Sequence, residues 1–206
     1  MAADTQPEVK KKSNRTIFQE YSEAFVVAVV LAIIIRALLV QAFKIPSESM
    51  WPTLLIGDHI LVNKFIYGVR VPFTDKRWPV FVSPRRGDVI VFVYPEDRTK
   101  DFIKRVVAIG GDTIEIRNKR VILNGQEVPD PHAHYSSNVT YPGDMNPRDN
   151  RTPEKVPPGH LFVMGDNRDS SHDSRFWGFV PVEDVKGEAF IIYYANKWNR
   201  IFKIIQ

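Results

Sequence analysis

The chain has 206 residues, 44% of them hydrophobic and a quarter charged, a composition ordinary for a globular fold of one anchored domain or two small ones. Its net charge is +4, and Lys10, Lys11, Lys12 and Arg15 against Asp4 and Glu8 place +2 of that at the N-terminus, so the near-neutral remainder excludes a broad nucleic-acid face. There is no cysteine, which excludes disulfides, thiolate metal sites and cysteine nucleophiles.

From Ala24 to Phe43 the sequence reads AFVVAVVLAIIIRALLVQAF, about the length that crosses a bilayer core as a helix. Arg36 is its only charge. It lies roughly 12 Å along a helix from Lys44, close enough to the end of the run to snorkel toward the interface. The run is long for a cleavable signal peptide, and no small-residue cleavage site follows it. A buried soluble helix is the alternative. The basic residues before the span put the N-terminus in the cytoplasm. The expected organisation is a cytoplasmic segment over 1–21, one transmembrane helix over 22–42 and an extracytoplasmic β domain over 43–206.

Beyond the anchor the pattern is period two or short apolar runs. Strands are predicted at 59–66, 88–94, 101–109, 112–116, 120–123, 160–164 and 187–194. Gly110-Gly111 and Asn124-Gly125 are turn signals, so 105–128 reads as a three-stranded meander. Two segments break the pattern. One runs from Pro72 to Arg86 and holds Trp78 and Phe81. The other is a proline-rich insertion over about 129–158, functional, mobile or a small subdomain. The fold class is mostly β, antiparallel, on a helical stalk.

Three stretches carry possible chemistry. In IPSESM, Pro46 holds Ile45 extended. If the chain stays extended, Ser47 and Ser49 share a face and Glu48 points away from both. A turn or helix cap is the simpler reading of those serines. In DFIKRVV, period two places Lys104 with Phe102 and Val106, away from Asp101 and Arg105. Burial lowers a lysine pKa, and only a neutral lysine can act as the base that a serine nucleophile needs. The simpler reading is a lysine whose stem packs on the sheet while its head reaches water. The third stretch, MGDNRDSSHDSRFWGFVP, reads as a rigid network of Asp, Arg and Ser packed onto the core. Within it His172-Asp173 suggests a Ser-His-Asp triad only weakly, because adjacent residues rarely orient each other that way. His132 and His134 lack an evident third ligand for a metal.

Together, IPSESMWPTL, GDHILVNKF, IKRVVAIGGD and GDNRDSSHDSRFWGFVP, in this order behind an N-terminal anchor, resemble the type I signal peptidases (leader peptidases). The resemblance covers most of the chain from Phe43 to Pro181. It implies a monomeric serine-lysine endopeptidase of the bacterial inner membrane that needs no metal or cofactor. Its partners would be the bilayer and the signal peptides of preproteins, cut after small residues of the A-x-A type. Carried over by motif, Ser49 resembles the nucleophile and Lys104 the general base. Ser47 resembles an oxyanion donor beside the Ser49 backbone N–H. Ser171 resembles the serine that orients the lysine, and Asp173 with Arg175 a supporting ion pair. Phe43, Ile45, Pro46, Leu54 and Ile103 match the apolar lining of the substrate pockets. Glu48 departs from the glycine that many relatives carry. The rival readings are a self-cleaving serine-lysine peptidase of the repressor-processing kind and a non-catalytic, membrane-anchored β module.

Overall fold

The computed structural model describes residues 17–68 and 82–206, with side chains at 17–18 and 33–38 excepted, so Trp78 and Phe81 lie outside the described residues. The chain divides into two compact units, Met1–Ala37 and Leu38–Gln206. The first holds most of one helix, α1 (Ile17–Leu38). Its described side chains from Tyr21 to Leu31, including Phe25, Val26 and Val30, are exposed. Among the described residues no helix is long and apolar enough to cross a membrane, and positions 33–38, Arg36 and its apolar neighbours, are among those whose side chains are not described.

The second unit is built from strands β1 (Val40–Lys44), β2 (His59–Asn63), β3 (Val89–Val93), β4 (Asp101–Ile109), β5 (Thr113–Arg117), β6 (Arg120–Leu123), β7 (Gln126–Glu127), β8 (Arg151–Lys155) and β9 (His160–Met164), then a single-turn helix α2 (Ser174–Trp177), β10 (Val180–Pro181) and β11 (Val185–Tyr194). They form a seven-stranded sheet ordered β1-β2-β11-β3-β4-β9-β10 and a four-stranded sheet ordered β7-β6-β5-β8. The strand pairs within both are antiparallel.

Apolar runs without alternation mark strands covered on both faces. Along β3, Val89 and Val91 enter one core cluster with Ile60, Val62 and Ile192, while Ile90 and Phe92 enter another with Val106, Leu161 and Val163. Along β9, Phe162 and Met164 face a third cluster, formed with Ile114, Ile116 and Val121 of the smaller sheet. That third cluster joins the two sheets.

The expected meander shifts by one strand. Gly110-Gly111 does not fold β4 back on β5; it carries the chain from the large sheet into the small one. Gly111 adopts φ +97°, where a side chain would be strained, and its N–H donates to Val156 O at 2.9 Å. The meander is β5-β6-β7, turning at Asn118-Lys119 and Asn124-Gly125, each with positive φ. The insertion over 129–158 also differs from expectation, since it supplies β8, which pairs with β5.

The stretch from Ile45 to Asp58 is pinned at several points. Ile45, Met50 and Leu54 are buried in the first core cluster. Ile45 N–H donates to Asp58 O at 2.9 Å, and Leu54 N–H to Met50 O at 2.8 Å. Arg200, near the C-terminus, donates to Asp58 Oδ2 at 2.5 Å and to Thr53 O at 2.8 Å. Leu54 is 0% exposed, which makes it core. Leu54→Ala is therefore expected to cost about 2–5 kcal/mol, read by urea unfolding of the full chain. An unchanged stability with altered cleavage specificity would return Leu54 to the pocket wall.

Candidate active site

Ser49 and Lys104 lie 55 residues apart in the sequence and meet. Lys104 projects from β4 and is 4% exposed; Ser49 is 8% exposed. Lys104 Nζ lies 2.7 Å from Ser49 Oγ and 3.1 Å from Ile103 O, and 5.4 Å from the Phe102 ring centroid. Phe102 and Lys104 thus share a face, as period two predicts. Burial pushes the Lys104 amine down to about 8, helped by the charge of Arg175, while Asp173 and Asp166 pull the other way and lose. At that value a substantial fraction of the amine is neutral near pH 8, within hydrogen-bond reach of the serine hydroxyl.

Of the two readings of the serines, the turn is the one found, and the extended alternative is not. Residues 47–50 bend into a turn, with Trp51 N–H donating to Glu48 O at 2.9 Å. The bend nonetheless brings Ser47 Oγ within 3.4 Å of Ser49 Oγ. Ser47 and Glu48 are exposed, whereas Ser49 is turned in.

A cavity of about 360 Å³ opens on the pair, lined by Pro46, Ser47, Ser49, Phe102, Ile103 and Lys104 together with Asp101, Ser170 and His172. Of the expected pocket residues, Pro46 and Ile103 line this cavity. Ile45 and Leu54 belong instead to the first core cluster, and Phe43 packs against that cluster, as Ile103 also does. Two strand edges flank the site. β9 pairs with β4 only from Arg105 onward, which leaves the 101–104 edge open on that side. β1 is the terminal strand of its sheet.

The third stretch forms the floor. Asp173 is buried and accepts from Arg175 Nε at 2.8 Å, from Arg175 Nη2 at 2.9 Å and from Gly165 N–H at 3.0 Å. Burial alone would raise the Asp173 carboxyl, but Arg175 and these hydrogen bonds hold it below the usual carboxylate range. Its acceptors are thus engaged away from His172, whose Nε2 lies 3.5 Å from Tyr94 Oη, so no Ser-His-Asp triad forms. Ser171 is buried, but no hydrogen bond joins its hydroxyl to Lys104. Among the described residues no group of three or more His, Asp or Glu is placed to hold a metal. The ring of His134 packs edge-on against Trp51, centroids 4.1 Å apart.

Sequence reasoning missed a second layer beneath the serine. Arg105 and Asp166 form a buried two-pronged ion pair at 2.8 and 2.7 Å, and Asp166 also accepts from Thr53 Oγ1 at 2.5 Å. This ties the strand that carries the lysine to the segment that follows the serine. Gly165 sits between Ser49 and Ser171: a Cβ there would lie 2.3 Å from both Ser49 O and Ser171 Oγ, a contact no side chain can occupy. The signal for these residues was the Gly-Asp-Asn run after β9, whose partners lie too far away in sequence to be inferred.

Known proteins are similar to this chain in sequence. A family model described as signal peptidase, peptidase S26, matches residues 18–194. The chain is 37% identical over 216 residues to signal peptidase I of Pseudomonas fluorescens, covering 91% of this chain and 76% of that one. It is 36% identical to signal peptidase I of Aquifex aeolicus, covering 82% of each. A solved signal peptidase I from Enterococcus faecalis is 29% identical, with a TM-score of 0.42 over 52% of this chain and 97% of that one. On the extent of the family match, the chain belongs to the signal peptidase family, peptidase S26.

Proposed function

We propose that the protein is a membrane-bound serine-lysine endopeptidase that removes signal peptides from exported preproteins. The observation that carries this reading is the 2.7 Å approach of a buried lysine amine, depressed to about 8, to a serine hydroxyl. A non-catalytic module has no reason to bury an amine so near neutrality, since such a lysine lowers stability.

In this reading Ser49 Oγ gives its proton to neutral Lys104 Nζ and attacks the scissile carbonyl. The oxyanion is held by the Ser49 backbone N–H and the Ser47 hydroxyl. As the tetrahedral intermediate collapses, the C–N bond breaks and the leaving amine takes the proton from Lys104. The ester on Ser49 is hydrolysed by a water that Lys104 deprotonates, which regenerates the serine. Ile103 O orients the amine from one side. Ser171, with its buried hydroxyl off the lysine, is the partner that takes Nζ once Ser49 Oγ is acylated. Extended substrate adds as a strand along the open 101–104 edge or the outer edge of β1, and the small apolar cavity at Pro46 and Ile103 favours small side chains beside the cut.

We also read 22–42 as a single transmembrane span with the catalytic unit outside the cytoplasm, in a bacterial inner membrane. The run of exposed Phe25, Val26, Val29, Val30 and Leu31 supports this, because a continuous apolar helix surface is stable in lipid and not in water. The exposed Trp51 would sit at the membrane interface. Anchoring holds enzyme and signal peptide in one plane and raises their effective concentration.

Two tests follow. Ser49→Ala and Lys104→Ala should each reduce preprotein cleavage to background with the fold intact by circular dichroism, and wild-type kcat/KM should rise with pH through an acid limb near 8. Full cleavage by either variant would end this reading. The second test is thermodynamic. Unfolded Lys104 binds its proton below about 10.5 and folded Lys104 only below about 8, so the unfolded state is favoured as pH falls between these values and the penalty is full below 8. Lys104→Met should therefore be more stable than wild type at pH 7 by up to about 3 kcal/mol, with the gain fading as pH rises from about 8 to about 10.5. Equal or lower stability of Lys104→Met in urea at pH 7 would mean the amine is not strained by burial.

A further inference from the structure

The backbone amide expected to receive the oxyanion is aimed by a residue that does not line the cavity at the Ser-Lys pair. The Ser49 N–H belongs to the same planar peptide unit as the Glu48 carbonyl, and in a trans peptide the two point in opposite directions. Whatever fixes Glu48 O therefore fixes the direction of the Ser49 N–H. Glu48 O receives two donors: Trp51 N–H at 2.9 Å and Asn167 Nδ2 at 3.2 Å. The next peptide is held as well, because Asn167 N–H donates to Ser49 O at 3.1 Å. One residue thus grips the peptides on both sides of Ser49.

Asn167 is itself held from behind. Residues 134 and 167 form a parallel bridge. His134 N–H donates to Asp166 O at 2.7 Å, and Arg168 N–H to His134 O at 2.9 Å. The His134 ring meets Trp51, whose N–H is the other donor to Glu48 O. The His132–His134 segment thereby gains a task. Asn167 is 6% exposed and its Oδ1 has no partner. A purely structural buried asparagine would pair both ends of its amide, since an unpaired buried acceptor costs stability. Here only the donor end is used, and it is used on Glu48 O.

We propose that Asn167 is a positioning residue that pre-orients the Ser49 N–H as an oxyanion donor by clamping the peptides on either side of Ser49. This rests on the reading of Ser49 as nucleophile. A donor fixed before the charge develops needs no reorganisation during reaction, and loss of one such donor typically slows turnover by about a hundredfold to a thousandfold. Asn167→Ala leaves the Trp51 bond to Glu48 O, so a smaller loss is expected.

The experiment uses the full chain in detergent micelles with a signal-peptide substrate carrying an A-x-A cleavage site. Two variants are compared: Asn167→Ala, and Asn167→Leu, which keeps the volume and backbone N–H but removes the side-chain donor. Both should lose about tenfold to a hundredfold in kcat, with KM within about twofold and the acid limb of the pH profile unmoved. An unmoved acid limb separates an effect on the oxyanion from one on Lys104. A kcat within about twofold of wild type, a loss confined to KM, or a displaced acid limb in the folded variants would each overturn the inference. Should Asn167→Ala fail to fold, Asn167→Leu decides alone; failure of both to fold would assign Asn167 to stability and overturn it too. Ser49→Ala run in parallel separates the two levels. If it is inactive while the Asn167 variants are normal, only the present inference falls. If Ser49→Ala is active, the underlying reading falls instead.

Discussion

The site depends on one strained arrangement, an amine kept out of water. Lys104 is taken from solvent by β3, β4 and the 165–175 segment, and nothing nearby compensates its charge fully. Asp173, the carboxylate with the largest effect on it, is already committed to Arg175 and Gly165 N–H. The consequence is chemical: a lysine that would otherwise be protonated at neutral pH becomes available as a base next to a serine hydroxyl. The arrangement also explains why the surroundings are so heavily tied together. A destabilised group persists only where its neighbours over-determine its position.

Three ties do that work. The Arg105–Asp166 pair, with Thr53 on Asp166, couples the lysine strand to the segment after the serine. The Asp173–Arg175 pair closes the loop under the site, and Arg175 extends it by donating to Arg168 O at 2.7 Å. Gly165 allows the serine backbone and Ser171 to close on one another. Buried pairs of this kind add little net stability over apolar replacements, but removing one partner is severe. They serve geometry: each fixes where the serine backbone, the lysine strand and the loop lie relative to one another.

Much of this was legible because β strands betray themselves by periodicity. The strands at 101–109, 120–123 and 160–164 have the bounds that the pattern gave, and Lys104 lies on the face that period two assigned. The sheet switch at Gly110-Gly111 was not legible. Two glycines between apolar runs look the same whether the chain folds back or crosses over, and only packing against Pro157 and Val156 decides. β8 was hidden because RTPEK has no apolar face to announce it. The turn at Ser47–Met50 was one of two readings that the sequence left open. Pro46 favours extended backbone for Ile45, but the bend that follows is imposed by burying Met50 and Leu54. Asn167 was invisible as a functional residue because its partners, Glu48 and Ser49, lie over a hundred positions away in sequence.

The ionisation of Lys104 can be observed without reference to activity. In the full chain, lysines labelled at Cε can be titrated by NMR, with Lys104→Arg used to assign the one resonance. The account predicts a Lys104 midpoint near 8, well separated from the surface lysines. A midpoint near 10.5 with the others would show an ordinary protonated lysine, and the claim that burial makes it a base would be contradicted.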